Sequence, residues 1–106
     1  MQNGFVATNF NDDDDNPAGG TVVGLGFTIV WQNGPLGRGT ERLQPNGAFV
    51  EDIIAAVISR INYYQDSKFA CEENADALIA LEQAATRLSD RTVSREARNV
   101  EGTHKK

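Results

Sequence analysis

The apolar residues of the chain follow two periodicities, one typical of strands and one typical of helices. Residues 21–31, TVVGLGFTIVW, are rich in β-branched and aromatic side chains, and the last five alternate, which predicts a strand. Gly24 and Gly26 lie inside it without the Lys-Ser/Thr of a phosphate-binding loop, so we interpret them as positions of bulges or close packing. The dipeptide Asn33-Gly34 then favours a tight turn, and residues 40–43 offer a return strand.

The first helical segment is predicted over residues 46–64. From Val50 onward its apolar residues recur at i, i+3, i+4, i+7, i+8, i+11 and i+14, which predicts one continuous apolar face. This face consists of Val50, Ile53, Ile54, Val57, Ile58, Ile61 and Tyr64. Asn46 is the expected N-cap, with Glu51 and Asp52 near the positive end of the helix.

The second helical segment is predicted over residues 68–98, with Ser67 as its N-cap. Its stripe steps by three and four residues through Cys71, Asn74, Leu78, Leu81, Ala85, Leu88, Thr92 and Arg95. A connection of about three residues would hold the two helices antiparallel. The predicted fold class is therefore α+β, a small N-terminal β element followed by a long antiparallel helical hairpin.

The chain of 106 residues is expected to form one small domain made of three stretches. These are an acidic polar segment (1–20), a small β region (21–45) and the helical hairpin (46–106). Within the first stretch, the run Asp12–Asp15 is expected to be extended and solvated, because adjacent carboxylates repel each other. The apolar residues among 5–10 allow a short edge strand before that run.

The charge is unevenly distributed along the chain. Residues 1–83 hold 4 basic and 12 acidic groups, a net charge of −8, whereas residues 84–106 hold 6 basic and 3 acidic groups, a net charge of +3. An acidic chain is a poor general binder of DNA or RNA, since that affinity depends on neutralising many phosphates. The basic C-terminal part favours a small, localised anion instead.

Other classes of protein are not favoured by the sequence. No run approaches the roughly 20 apolar residues of a membrane helix, and the N-terminus lacks the regions of a secretory signal. We therefore expect a cytoplasmic protein that does not bind membranes. Cys71, the single cysteine, is interpreted as a small buried hydrophobe of the helix seam. His104 has no convergent partner, so we predict no catalytic residue, no metal and no cofactor.

The second helix should extend well beyond the first. At 1.5 Å per residue the helices would measure about 28 and 46 Å, and the overhang carries Arg91, Arg95 and Arg98 at i, i+4 and i+7. These arginines form either a solvated face or a set of guanidinium forks for phosphate. The aromatic residues Tyr63, Tyr64 and Phe69 either close the hairpin or stack on a purine. A long, partly covered helix also predicts a homo-oligomer.

Two segments carry a resemblance to a known family. Residues 63–74, YYQDSKFACEEN, and residues 91–104, RTVSREARNVEGTH, closely resemble the helical-hairpin domain shared by phage anti-defence sponge proteins. Members of that family carry an aromatic-Gln pair, a Phe-Ala-Cys-x-Glu-Asn run and an Arg-Thr-x-x-Arg-x-x-Arg-x-Val-Glu-Gly-Thr run. The upstream FTIVWQNGPLG resembles the β region of the Thoeris anti-defence branch. The resemblance covers residues 27–104.

The resemblance implies a function as well as a fold. Such proteins bind the cyclic nucleotide messengers of bacterial immunity without cleaving them, and the Thoeris branch sequesters glycocyclic ADP-ribose. It therefore implies a non-enzymatic sponge in the cytoplasm of an infected bacterial host, assembled as a dimer or a hexamer. Two alternatives stay open: a sponge for the cyclic di- and trinucleotides of CBASS defence, and a helical module that docks onto another protein.

The resemblance also implies which residues contact the ligand. Tyr64 matches the aromatic residue that stacks on a base, a position where phenylalanine is expected in many relatives. Asn74 matches the asparagine that lines the pocket, whereas Arg91 and Arg95 match the arginines that reach the phosphates. Asn33 and Gly34 match the turn of the β region. These six residues are the predicted ligand-binding set.

The spacing within the second helix constrains how such a pocket is built. Asn74 and Arg91 are 17 residues apart, which is about 25 Å along a helix axis. One small nucleotide does not span that distance. If both residues serve one pocket, they must come from different subunits, and an isologous dimer of antiparallel long helices would hold two equivalent pockets.

Overall fold

A computed structural model describes residues 4–37, 40 and 42–97 of the chain. In chain order the elements are the strands β1 (Phe5–Asn11), β2 (Pro17–Gly24) and β3 (Phe27–Trp31) and the helices α1 (Val50–Gln65) and α2 (Glu72–Ala97). The predicted α+β class, with a β element followed by a helical hairpin, is confirmed. The chain divides into two compact units, and the boundary between them lies between Phe49 and Val50.

The three strands form one antiparallel sheet in the order β1-β2-β3. Phe5, Gly24 and Phe27 are cross-strand neighbours, and a side chain at Gly24 would collide with the ring of Phe27. The ring therefore occupies the space above the central strand that any larger residue would fill. Close packing, one of the two roles expected of Gly24, is confirmed.

The prediction of a single strand over residues 21–31 is wrong. The chain reverses at Leu25-Gly26, and the flanking residues Gly24 and Phe27 pair with each other. Gly26 has a φ of +89°, a left-handed conformation that glycine adopts without steric cost. The β-type composition is correct, but it belongs to two arms of a hairpin, because the glycine permits a reversal that the periodicity does not reveal.

The aspartate run is a tight turn between β1 and β2, so the expected extended segment is also wrong. The carboxylate Oδ1 of Asp12 accepts hydrogen bonds of 2.9 Å from the backbone N–H groups of Asp14 and Asn16. Asp15 has a φ of 65°, as aspartate tolerates in turns. Local bonds from one carboxylate to the backbone outweigh the repulsion between side chains that water screens. Strand β1 precedes this turn, where the sequence allowed a short edge strand.

An irregular segment, described at residues 32–37, 40 and 42–49, follows β3 and returns to the sheet. The N–H of Ala48 donates to the carbonyl of Val30 at 2.7 Å, and the N–H of Gln32 donates to the carbonyl of Ala48 at 2.9 Å. The described residues of the expected return strand over 40–43 lie outside any strand. The N–H of Leu43 instead donates to the carbonyl of Leu36 at 2.7 Å. Leu36 is the one buried apolar side chain of the described residues, 7% exposed.

The two helices pack against each other, although both begin four residues later than predicted. Helix α1 has 16 residues and helix α2 has 26, so α2 extends about 15 Å beyond the length of α1. The connection is 66–71, twice the predicted length. The seam of α2 is half-buried at the predicted positions from Asn74 to Arg95. The predicted period is thus confirmed, whereas the predicted helix starts are wrong.

The apolar face of α1 is wider than the surface that α2 covers. Val50, Val57 and Tyr64 recur every seven residues and stay 49%, 42% and 38% exposed, whereas Ile54, Ile58 and the other isoleucines of α1 are half-buried. Large apolar side chains with this exposure commonly mark association surfaces. The predicted homo-oligomer stays a prediction, and this stripe is apolar surface that the hairpin itself leaves in water.

Candidate ligand-binding site

The closed end of the hairpin (residues 60–74) is held by one glutamine side chain. Nε2 of Gln65 donates to the carbonyl of Cys71 at 3.0 Å, and the N–H of Cys71 donates to Oε1 of Gln65 at 3.0 Å. The amide therefore satisfies both backbone groups of a residue in the connection. This pair of bonds joins the aromatic-Gln motif to the Phe-Ala-Cys motif and fixes the direction in which α2 leaves the connection.

Cys71 is the N-cap of α2, a role that the sequence assigned to Ser67. The N–H of Asn74 donates to Sγ of Cys71 at 3.4 Å, the geometry of a side chain that caps the third helical residue. Ser67 instead donates from Oγ to the carbonyl of Tyr64 at 2.5 Å, which terminates α1. The expectation that Cys71 is a buried hydrophobe is also wrong, because its thiol is exposed at the cap.

Tyr64 lies at the closed end with its ring partly exposed. It belongs to the last turn of α1 and is 38% exposed, with its ring centroid 6.2 Å from that of Tyr63 at an angle of 54°. A tilted arrangement of this kind is favoured between aromatic rings. Phe69, in the connection, is 68% exposed. The ring of Tyr64, the predicted stacking residue, is thus partly accessible to solvent.

Arg60 is a member of this cluster that the sequence analysis missed. Its Cζ lies 5.0 Å from the ring centroids of both Tyr63 and Tyr64, and its Nε donates to the hydroxyl of Tyr64 at 3.2 Å. The hydrogen bond to Tyr64, and then the charge of that side chain, raise the pKa of Arg60. The available signal was the i, i+3, i+4 spacing of an arginine and two tyrosines on one helix.

Asn74 and the two predicted arginines lie at opposite ends of α2. Asn74 is half-buried in the first turn, beside the closed end. Arg91 is exposed and Arg95 is half-buried near the other end of the helix. Because Arg91 is about 25 Å and Arg95 about 31 Å from Asn74 along the axis, one chain does not bring the predicted base-binding and phosphate-binding groups together. Two further residues named from the sequence, Arg98 of the arginine face and His104, lie outside the described residues.

The predicted turn residues of the β region are held by their backbone. The N–H of Asn33 donates to Oδ1 of Asn46 at 2.8 Å, and Nδ2 of Asn46 donates to the carbonyl of Asn33 at 3.1 Å. Oε1 of Gln32 accepts from the N–H of Asn46 at 2.8 Å, and Gly34 has a φ of +82°. Asn46 therefore braces this turn and is not the N-cap of α1, which begins at Val50.

The described residues contain neither a metal-binding cluster nor a membrane-spanning helix. Within that part of the chain, no group of three or more His, Cys, Asp or Glu side chains is arranged to hold a metal ion. Neither helix, over its described length, combines the extent and the apolar composition that crossing a bilayer requires.

Comparisons with known proteins place the chain in a family. Residues 26–91 match the family model described as Acb2/Tad1, hairpin domain, a span that contains the closed end of the hairpin and Arg91. Thoeris anti-defense 1 of Bacillus phage SBSphiJ7 is 49% identical over 79 residues, 74% of this chain and 53% of the relative. The chain thus spans about half the length of that relative. The family match covers more than half of the chain, and the chain belongs to the Acb2/Tad1 hairpin-domain family.

Proposed function

We propose that this protein is a phage anti-immune sponge, which binds a cyclic ADP-ribose isomer, glycocyclic ADP-ribose, without cleaving it and so blocks Thoeris defence. The observation that carries the proposal is the exposed ring of Tyr64 at the closed end of a hairpin of the Acb2/Tad1 family. The name of the relative, Thoeris anti-defense 1, supports the choice of defence system. The site of action would be the cytoplasm of the infected bacterial cell.

The chemistry of the ligand fits the groups that the hairpin presents. A cyclic ADP-ribose offers an adenine face and a diphosphate. Stacking of a base on an aromatic ring contributes about 1–3 kcal/mol, and guanidinium forks match phosphate oxygens in pairs. Tyr64 would take the base, Asn74 would bond to it at the pocket wall, and Arg91 and Arg95 would hold the phosphates.

Binding without cleavage is supported by membership of the Acb2/Tad1 hairpin-domain family. Hydrolysis of the messenger requires a nucleophile or general base held against it. Cys71 is engaged as the acceptor for the N–H of Asn74 at the start of α2. That bond gives the thiol a capping role in α2, and the family match carries the proposal that the ligand is returned intact.

A pocket built by two subunits would unite the separated groups. In an isologous dimer of antiparallel hairpins, the exposed Arg91 and half-buried Arg95 of one protomer would reach the closed end of its partner. The exposed stripe of Val50 and Val57 on α1 offers apolar surface for such an interface. The resemblance also assigns Asn33 and Gly34, in the braced turn of the β region, to the ligand-binding set.

A release experiment tests the proposal. The purified protein is incubated with glycocyclic ADP-ribose, separated from free ligand and heat-denatured, and the supernatant is analysed by chromatography. A sponge returns the intact messenger, whereas an enzyme returns a product. If the protein captures cyclic di- or trinucleotides but not cyclic ADP-ribose, it is a sponge for a different class of ligand. If it captures neither, the alternative of a protein-interaction module is favoured.

A further inference from the structure

The side chain of Arg60 joins the two tyrosines at the end of α1. Its Nε is committed to the hydroxyl of Tyr64 at 3.2 Å, and its guanidinium lies 5.0 Å from both ring centroids. Arg60 precedes Tyr64 by one helical turn on the same face. The arginine therefore limits the directions in which the Tyr64 ring can point, although the ring is 38% exposed to water.

We propose that Arg60 is a positioning residue of the ligand site, which acts through the Tyr64 hydroxyl and holds the ring in its base-stacking orientation before the ligand arrives. The proposal rests on the proposed function, because it takes Tyr64 as the stacking residue. If the rotamer is already fixed in the free protein, ligand binding does not have to order that side chain, and the entropic cost of binding is smaller. Arg60 thereby raises affinity without contacting the ligand.

The contact with Arg60 gives the hydroxyl of Tyr64 a role in the site. A phenylalanine at position 64 would present the same stacking face, but it could not accept the hydrogen bond from Nε. Arginine suits the task because its planar guanidinium can donate from Nε and lie against aromatic rings at the same time. A lysine at position 60 would keep the charge and lose the fixed geometry.

A direct contact between Arg60 and a ligand phosphate is the competing explanation. The two explanations differ in their dependence on salt, since a lost ion pair with phosphate reduces the salt sensitivity of binding. Arg60→Gln removes a charge as well as the contact with Tyr64, so its salt sensitivity is compared with that of Lys68→Gln, which removes a nearby charge alone. The salt dependence of the dissociation constant therefore separates positioning from phosphate binding.

The test is a double-mutant cycle measured by calorimetry with glycocyclic ADP-ribose. We expect Arg60→Gln and Tyr64→Phe each to weaken binding about three- to tenfold, and the double variant to be no weaker than either single variant. Lys68→Gln is the matched control, because it removes one positive charge from the same end of the hairpin and Lys68 faces Phe69 instead. Each variant is measured at two salt concentrations, and its helicity and Tm are recorded by circular dichroism.

A measurement on the free protein keeps the proposal testable whatever the ligand. Side-chain couplings in isotope-labelled protein report the χ1 rotamer of Tyr64, which should be single in the wild type and averaged in Arg60→Gln. A ring already averaged in the wild type, additive losses in the cycle, or a salt slope reduced more by Arg60→Gln than by Lys68→Gln would overturn the positioning role. If Tyr64→Ala itself leaves binding unchanged, the failure lies in the proposed site and not in Arg60.

Discussion

The side-chain amide of Gln65 and the backbone of Cys71 form a reciprocal pair of hydrogen bonds, both 3.0 Å long. Gln65 is the last residue of α1, and Cys71 immediately precedes α2. The pair therefore closes the connection between the helices with one side chain. Tyr64 and Asn74 lie on the two sides of this closed connection.

Replacing Gln65 should destabilise the hairpin. Gln65→Ala removes both bonds and leaves two backbone groups of Cys71 to water, so we expect a loss of about 1–2 kcal/mol in the free energy of unfolding. Gln83→Ala is the control, because Gln83 is an exposed glutamine inside α2. Urea titration followed by circular dichroism measures both variants. Equal stability of the two variants would mean that the two hydrogen bonds between Gln65 and Cys71 do not stabilise the hairpin.

A second prediction concerns the sheet. In Gly24→Ala the new Cβ would collide with the ring of Phe27, and the ring would have to leave its place above the central strand. We expect a loss of about 1–3 kcal/mol, the usual cost of overpacking. Gly4→Ala is the matched control, since nothing lies within 4 Å of a Cβ at that position. Chemical denaturation that finds both variants equally stable would contradict this account of Gly24.

The sequence predicted the helices better than the places where they begin. The repeat of apolar positions survives in the structure because it depends on packing over several turns, which one residue cannot change. The starts are local, and they depend on which side chain meets the backbone. Asn46 is a residue type that commonly caps helices, yet its side-chain amide hydrogen-bonds to the backbone of Asn33. At the start of α2 the cap is the thiol of Cys71.

The same reason explains what was missed in the candidate site. Tyr64 and Asn74 could be assigned from a motif, and the structure locates both near the closed end of the hairpin. Arg60 belongs to no quoted motif, and its contact with Tyr64 depends on the rotamers of two long side chains. Likewise, the reversal at Gly26 depends on one backbone dihedral that the composition of residues 21–31 does not specify.

The third prediction concerns the arginines of α2. Arg91→Ala or Arg95→Ala should each remove a charge-assisted bond to phosphate, about 1.5–3 kcal/mol, or about ten- to a hundredfold in affinity. Arg87→Ala is the control, because Arg87 is 86% exposed and pairs with Asp90 at 3.7 Å. Calorimetry with glycocyclic ADP-ribose measures affinity, and light scattering checks that assembly is unchanged. Wild-type affinity in both variants would remove the arginines from the site.

The final prediction tests whether each pocket is shared between two subunits. It first requires that the protein associate, so light scattering at micromolar concentration should give at least twice the chain mass of 11.5 kDa. A stable monomer would exclude a shared pocket at once. Two variants, Tyr64→Ala and Arg91→Ala, then damage opposite ends of the proposed pocket. Alone, each forms homodimers in which both pockets carry one defect.

Mixing the two variants distinguishes a shared pocket from one within a single chain. In a heterodimer with shared pockets, one pocket receives an intact Tyr64 from one protomer and an intact Arg91 from the other, while the second pocket carries both defects. Tight binding should therefore return at one site per heterodimer. If each pocket lies within one chain, every pocket keeps one defect and mixing restores nothing. Native mass spectrometry confirms that subunits have exchanged. Weak binding by verified heterodimers would count against the shared pocket, because a dimer that brings Asn74 and Arg91 together across their separation of about 25 Å should restore one site.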